Sequence, residues 1–280
     1  MIYKTFGKTG EKISAIGMGT YYDPLWIAGS IFKIKSNSKL HIDAIRKGIE
    51  NGINLIDTAE IYGTETLVSK AIKELERDKL FIATKVFFNH LSGEKVKRSC
   101  ERSLKRLGLK YIDLYQIHFP SSTVRIQETL GAMEELVDQG KIRYIGISNF
   151  DLKRTEDAVS SMKRHEIVST QMPYNILNRK IESGLKQYCD KNNMAILAYY
   201  PLAHGKITGK RTQVDPVIRE ISERHRAPMT HIAIQWLLGR GENVFPIPRA
   251  SNPAHVEENS RFQELELDAG DMEKLEKIHQ

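Results

Sequence analysis

Residues 53–63 read INLIDTAEIYG, a short apolar and β-branched run that ends in an aspartate and is followed by a tyrosine. Such a run predicts a buried strand, so Asp57 lies where an unpaired carboxylate is costly. A buried carboxylate needs a cation beside it, and Tyr62 follows closely in the sequence. The stretch therefore indicates a strand whose C-terminal end carries chemistry as well as packing.

Runs of the same kind recur along the whole chain, at 13–20, 53–59, 80–86, 112–119, 144–150, 167–175, 194–202 and 243–248. Amphipathic helical patterns such as 126–140 and 184–193 lie between them. Apolar strands that alternate with helices predict an α/β fold with a parallel sheet covered by helices. Eight such units in about 250 residues predict a closed (β/α)8 barrel, the TIM-barrel architecture.

The first residues and the overall organisation add two expectations. The opening segment, with turn residues from Lys8 to Gly10, predicts an N-terminal β-hairpin that plugs the barrel floor. No Pro/Gly/Ser-rich linker or abrupt change of composition divides the chain. We therefore expect residues 1–280 to form one domain.

Composition excludes several classes of partner. The net charge is +7, but basic and acidic residues are mixed, as in 94–108, which argues against a nucleic-acid surface and favours a mild attraction for an anionic cofactor. The longest apolar run, 194–203, is too short to span a membrane, and the first residues lack a signal-peptide core. Cys100 and Cys189 lie in helical patterns without metal-ligand spacing. We expect a cytoplasmic protein without a metal site, whose oligomeric state the sequence leaves open.

In a (β/α)8 barrel the chemistry lies at the C-terminal ends of the strands. Those ends place Asp57, Lys85 and His118 at one mouth, with Tyr62 in the loop beyond Asp57. Lys85 is then the cation that Asp57 requires. A neighbouring ammonium stabilises a phenolate, so we expect Lys85 to lower the pKa of Tyr62 and make it a usable proton donor.

Seven segments, in this order and over essentially the whole chain, resemble the aldo-keto reductase family: LIDTAEIYG, TKV, DLYQIH, GKIRYIGISNF, QMPYN, LAYYPLAHG and IPRASNPAHVEEN. The resemblance implies reduction of a small-molecule carbonyl by hydride from NADPH, with NADH as a second option. It implies that Tyr62 is the general acid, that His118 orients the carbonyl oxygen, that Lys85 tunes Tyr62, and that Asp57 fixes Lys85.

The resemblance also implies how the cofactor is held. The carboxamide would contact Ser148, Asn149 and Gln171, and the nicotinamide ring would stack on Tyr199. The adenosine end would lie by Arg249, His255, Glu258 and Asn259, while Thr20, Tyr21 and Asp57 would line the same mouth.

Plainer interpretations of these residues remain open. Tyr62 would then only pack, and His118 would be a buried histidine satisfied by the backbone. Asn149 would serve only as the N-cap of the following helix, since asparagine favours that position. Tyr200, rather than Tyr199, would be the stacking ring.

The family pattern is incomplete at the adenosine end. The family commonly has a lysine, a small polar residue and a later arginine, whereas this chain has Arg249, Ala250, Ser251 and then His255. The chain therefore departs from the family pattern at the residues that would bind a 2′-phosphate. The alternative function is a cofactor-binding regulatory or scaffold protein of the same fold with little turnover.

Overall fold

The structure, a computed structural model, describes residues 1–22, 24–31, 37–209 and 215–279. In these ranges the strands are β1 (Tyr3–Thr5), β2 (Lys12–Ser14), β3 (Met18–Gly19), β4 (Leu55–Asp57), β5 (Phe81–Val86), β6 (Ile112–Ile117), β7 (Ile142–Ser148), β8 (Ile167–Pro173), β9 (Ala195–Tyr199) and β10 (Val244–Pro246). The α-helices are α1 (Pro24–Ile31), α2 (Ser38–Glu50), α3 (Glu65–Ile72), α4 (Gly93–Leu107), α5 (Ile126–Asp138), α6 (Leu152–Ser160), α7 (Leu185–Lys191), α8 (Pro216–His225), α9 (Met229–Leu238), α10 (Pro253–Ser260) and α11 (Ala269–Glu276).

Strands β3 to β10 form one sheet in which neighbours in sequence are neighbours in space, and every pair is parallel. The sheet curls until its two edges meet. The amide of Gly17 donates to the carbonyl of Pro246 at 2.8 Å, and the amide of Ala250 donates to the carbonyl of Gly19 at 2.9 Å. These bonds, with a parallel bridge between Gly19 and Arg249, form a seam that closes the ring. The predicted barrel is confirmed.

Apolar side chains fill two layers. The barrel interior holds a buried cluster that includes Phe6, Leu55, Phe81, Leu114 and Phe245. A larger cluster lies between the outer faces of the strands and the helices. Because side chains on a strand alternate between its two faces, each of the strands β4 to β10 contributes to both layers.

The N-terminal hairpin, β1 paired antiparallel with β2, is also confirmed. Its connecting turn inserts the Phe6 ring into the bottom of the barrel, with centroids 5.0 Å from Phe81 and 5.1 Å from Phe245. Gly7 has a φ of +53°, and a Cβ there would lie 2.7 Å from the carbonyl oxygen of Asn193, so only glycine lets the turn approach so closely.

One predicted strand is wrong in its extent. Residues 13–20 were expected to form a single barrel strand, but Lys12–Ser14 pairs in the hairpin and only Met18–Gly19 pairs in the barrel. The chain changes direction between them, where the Ser14 hydroxyl donates to the carbonyl of Ile16 at 2.7 Å. That local bond gives the backbone an alternative to continuing the ladder.

Helices follow the predicted patterns. The pattern at 126–140 forms α5, which ends at Asp138, and Gly140 with a φ of +66° turns the chain out of the helix. Cys100 on α4 and Cys189 on α7 are free thiols, and both are fully buried. No helix in the described part of the chain is both long and apolar enough to cross a membrane.

Candidate active site

The carboxylate of Asp57 lies at the C-terminal end of β4 and pairs with Lys85 from the neighbouring strand β5. Lys85 Nζ is 2.6 Å from Asp57 Oδ2 and also donates to the carbonyl of Thr58 at 2.8 Å. Lys85 is fully buried, and Asp57 is 3% exposed. The cation that the sequence predicted for Asp57 is therefore in place.

Tyr62 and His118 meet beside this pair. The Tyr62 hydroxyl is 3.2 Å from His118 Nε2, and the two rings are edge to face. Lys85 Nζ lies over the Tyr62 ring, 5.0 Å from its centroid. Tyr62 belongs to a single turn of 3-10 helix after β4, whereas His118 directly follows β6. The barrel thus brings together all four side chains that the strand ends predicted.

The expected effect of Lys85 on Tyr62 is contradicted. Burial, aided by the negative charge of Asp57, raises the pKa of the Tyr62 phenol well above its ordinary value. Burial also lowers the pKa of the Lys85 ammonium, although Asp57 opposes that shift. The prediction failed because it counted one favourable charge and left out desolvation, which disfavours the phenolate more strongly here.

Burial, with a smaller contribution from Lys85, lowers the pKa of His118 to about 3. The imidazole is therefore neutral at ordinary pH and presents one N–H and one lone pair. Its position is fixed through its own backbone, because the carbonyl of His118 accepts from Asn149 Nδ2 at 2.9 Å.

Polar side chains from β7, β8 and β9 form one hydrogen-bonded group across the mouth from Tyr62. The Tyr199 hydroxyl donates to Asn149 Oδ1 at 2.7 Å, and Asn149 Nδ2 also donates to Ser148 Oγ at 3.1 Å. Asn149 has a φ of +63°, which orients its side chain. The N-cap of α6 is Asp151, whose side chain accepts from the amide of Arg154, so a role for Asn149 in capping alone is wrong.

Gln171 contacts the ion pair directly. Its Nε2 donates to Asp57 Oδ1 at 2.9 Å, and its backbone carbonyl accepts from the Ser148 hydroxyl at 3.0 Å. The residue thus joins the Asp57–Lys85 pair to the group around Asn149.

Thr20 and Tyr21, which follow β3, have different surroundings. Thr20 is fully buried, and its hydroxyl donates to the backbone carbonyl of Asp57 at 3.0 Å, so it holds the end of β4. Tyr21 lies at the mouth, where its ring is edge-on to those of Tyr62 and Tyr200. The distances between ring centroids are 5.2 Å to Tyr62 and 6.5 Å to Tyr200. Tyr200 itself has a φ of +52° and faces Tyr21, whereas Tyr199 is held by Asn149.

The residues assigned to the adenosine end lie together after β10. Arg249 is exposed and uses one N–H to donate to the carbonyl of Tyr22 at 2.7 Å. His255 is exposed in the first turn of α10, and Asn259 is buried in the same helix. Glu258 Oε1 accepts from the Thr230 hydroxyl at 2.8 Å.

Gln116 was missed at the sequence level. It is fully buried on β6, and its Nε2 lies 3.3 Å from Asp57 Oδ1. A signal was present, because side chains on a strand alternate between its two faces, and Gln116 shares the interior-facing side of IDLYQI with the apolar Leu114. Among the described residues, no cluster of His, Cys, Asp or Glu is suited to hold a metal ion.

Comparison with known proteins agrees with this arrangement. Residues 16–280 match the model of the aldo/keto reductase family. The chain belongs to the aldo-keto reductase family. The curated methylglyoxal reductase YeaE of Escherichia coli is 33% identical over 270 residues, covering 95% of this aldo-keto reductase and 91% of the relative.

Solved structures of similar fold are also aldo-keto reductases. A thermostable aldo-keto reductase crystallised with the inhibitor epalrestat is 38% identical, with a TM-score of 0.87 and coverage of 99% of both chains. An aldo-keto reductase from Klebsiella pneumoniae, solved in complex with NADPH, is 29% identical, with a TM-score of 0.88. The match covers 100% of this chain and 96% of the Klebsiella pneumoniae chain.

Proposed function

We propose that this aldo-keto reductase is an enzyme that reduces aldehydes or ketones to alcohols with NADPH, and that Tyr62 supplies the proton. One observation carries the proposal. The Tyr62 hydroxyl lies 3.2 Å from the neutral His118 Nε2, beside a buried Asp57–Lys85 pair at the mouth of the barrel. Two polar groups so close together are able to contact the same carbonyl oxygen.

The residues opposite Tyr62 fit a nicotinamide cofactor. Asn149, Ser148 and Gln171 provide amide and hydroxyl groups of the kind that bind a carboxamide, and the hydroxyl bond to Asn149 fixes one end of the Tyr199 ring. NADPH, when bound, supplies the hydride. The relatives solved with NADP or NADPH support this choice of cofactor, as does the exposed guanidinium of Arg249.

Each of the four central residues then has a distinct task. Tyr62 keeps its proton at neutral pH because burial and Asp57 raise its pKa, so it arrives at the carbonyl in the acid form. His118 remains neutral and orients the oxygen through Nε2. Lys85 neutralises Asp57 and places positive charge 5.0 Å from the Tyr62 ring, where negative charge develops as the proton leaves.

Small α-oxoaldehydes are the first substrates to examine, since curated relatives are named methylglyoxal and glyoxal reductases. We also propose that residues 1–280 act as one domain in the cytoplasm. The closed ring and the two buried free thiols support those two points.

The test measures NADPH consumption with a panel of aldehydes, ketones and sugars, for the wild type and for Tyr62→Phe. The variant keeps the ring and loses only the hydroxyl, so kcat should fall by roughly 10²–10⁴ while the Kd for NADPH stays unchanged. Tyr144→Phe is the matched control, because that hydroxyl bonds Glu11 at the opposite end of the barrel.

Two results would contradict the proposal. Near-normal turnover by Tyr62→Phe would remove Tyr62 from proton transfer. Tight NADPH binding without turnover on any carbonyl would favour the regulatory or scaffold function instead.

A further inference from the structure

The second oxygen of the Asp57 carboxylate is held by two glutamine side chains. Oδ2 faces Lys85 at 2.6 Å, while Oδ1 accepts from Gln171 at 2.9 Å and from Gln116 at 3.3 Å. A carboxylate bound on only one oxygen is free to rotate about its Cβ–Cγ bond. Donors on both oxygens remove that freedom.

Gln116 is difficult to explain by packing. It is fully buried, and within the described ranges its Oε1 has no hydrogen-bond partner. A buried, unpaired amide oxygen lowers stability, whereas an apolar side chain of the same length would not. Leu114, two residues earlier on the same face of β6, shows that the interior here accepts apolar side chains. A costly residue in such a place indicates a function.

The neighbouring strand makes room for this side chain. Gly146 on β7 pairs with Gln116 in register. A Cβ at Gly146 would lie 2.9 Å from Gln116 Cγ and 2.6 Å from Ser169 Oγ, closer than such atoms approach. The glycine in the sequence IGIS thus leaves the volume that Gln116 occupies.

We infer that Gln116 is a positioning residue for carbonyl reduction, which fixes the Asp57 carboxylate so that Oδ2 stays on Lys85 and Lys85 stays over the Tyr62 ring. The inference rests on the proposed function. Gln171 is also one of the residues proposed to hold the carboxamide. A second donor on Oδ1 keeps Asp57 oriented independently of what Gln171 contacts.

The test compares the wild type with Gln116→Met, which keeps the length of the side chain and loses the amide. We expect kcat to fall by about threefold to tenfold, which is less than the full value of a hydrogen bond to a charged group because Gln116 acts only through Asp57 and Lys85. The KM for the carbonyl and the Kd for NADPH should not change, because Gln116 is not among the residues proposed to contact either molecule. The melting temperature of the cofactor-free protein should stay close to that of the wild type, because loss of the bond to Asp57 opposes the gain from removing the unpaired amide oxygen.

Ser169→Ala is the matched control. It removes a buried hydroxyl that packs against the same Gly146 without contacting Asp57, so kcat should stay at the wild-type value. Gln116→Leu is the second variant if Gln116→Met does not fold. An unchanged kcat in the folded Gln116 variant would overturn the inference. A loss of kcat with an equal loss in Ser169→Ala would also overturn it.

A double-mutant cycle separates this inference from the proposed function, because it needs no turnover. Unfolding of the cofactor-free protein is measured for Gln116→Met, Asp57→Asn and the double variant. Non-additive changes would support the contact even if the wild type reduced no carbonyl, and additive changes would overturn it. Absence of turnover in the wild type would count against the proposed function alone.

Discussion

Arg249 is the residue best placed to distinguish the two nicotinamide cofactors. It is exposed at the end of the barrel seam, and the bond to Tyr22 uses one of the five N–H groups of its guanidinium. The two glutamates of α10 bind other residues: Glu257 pairs with Arg261, and Glu258 bonds Thr230. The guanidinium therefore retains donors for two parallel hydrogen bonds to a phosphate.

Replacement of Arg249 by alanine should weaken NADPH binding by about tenfold to a hundredfold, because charge-assisted hydrogen bonds contribute roughly 1.5–3 kcal/mol. NADH binding should stay nearly constant, since NADH lacks the 2′-phosphate. Fluorescence titration with each cofactor measures both affinities. Arg261→Ala, which also removes one exposed positive charge, should leave both unchanged. Equal losses for the two cofactors in Arg249→Ala would show that Arg249 does not recognise the phosphate.

For individual residues, the sequence predicted where the active-site side chains lie better than it predicted their pKa values. Asp57, Tyr62, Lys85 and His118 were found because parallel strands end at one edge, which is a property of the topology. The pKa of Tyr62 was predicted in the wrong direction, because burial is set by the packed fold and not by neighbours in sequence. Gln116 was missed because a single glutamine in an apolar strand gives no motif.

The N-terminal hairpin stabilises the barrel from the end opposite the active site. Its Phe6 ring is fully buried between Phe81 and Phe245, and Arg143 on β7 pairs with Glu11 beside it. The hairpin therefore contributes to stability without touching the four central residues.

Phe6→Ala should lower the free energy of unfolding by about 3–5 kcal/mol, because it removes a large buried ring and leaves a cavity. Chemical denaturation measures the change. Lys12→Ala, in the same hairpin, removes an exposed side chain and should change stability little. Where Phe6→Ala remains folded, we expect wild-type kcat; a large loss of kcat under those conditions would mean that the hairpin shapes the active site.

Strands were predicted well where both faces are buried. The runs at 80–86 and 112–119 match β5 and β6 almost residue for residue, because each is mostly apolar and flanked by polar turns. The run at 13–20 failed because its apolar pattern continues through two separate strands. Periodicity does not reveal that the first of these pairs with the hairpin and the second with the barrel.

The stability of the whole molecule should depend on pH through His118. Its pKa is about 3 in the folded protein against 6.5 for an ordinary histidine, so between these values the unfolded chain binds a proton that the folded protein rejects. The contribution of the neutral histidine is complete above pH 6.5 and is lost as the pH falls toward 3. Between pH 7 and about pH 5 the loss amounts to about 2 kcal/mol.

His118→Asn removes the titrating group, so its melting temperature should decline less than that of the wild type over the same acid range. Thermal unfolding at a series of pH values, without cofactor, compares the two proteins. If the melting temperatures of the two proteins fell equally with pH, the histidine would be protonated as easily in the folded protein as in the unfolded chain.

The seam of the barrel also bears on how the protein is made. It joins Gly19, in the first strand of the ring, to Arg249, which follows the last strand. Contacts between such distant parts of a chain carry a high loop-closure cost and form late. During synthesis the early strands leave the ribosome with an unpaired edge, which needs protection from other chains until β10 arrives. Because Arg249 lies on this seam, the place proposed for the phosphate is completed in the same step that closes the ring.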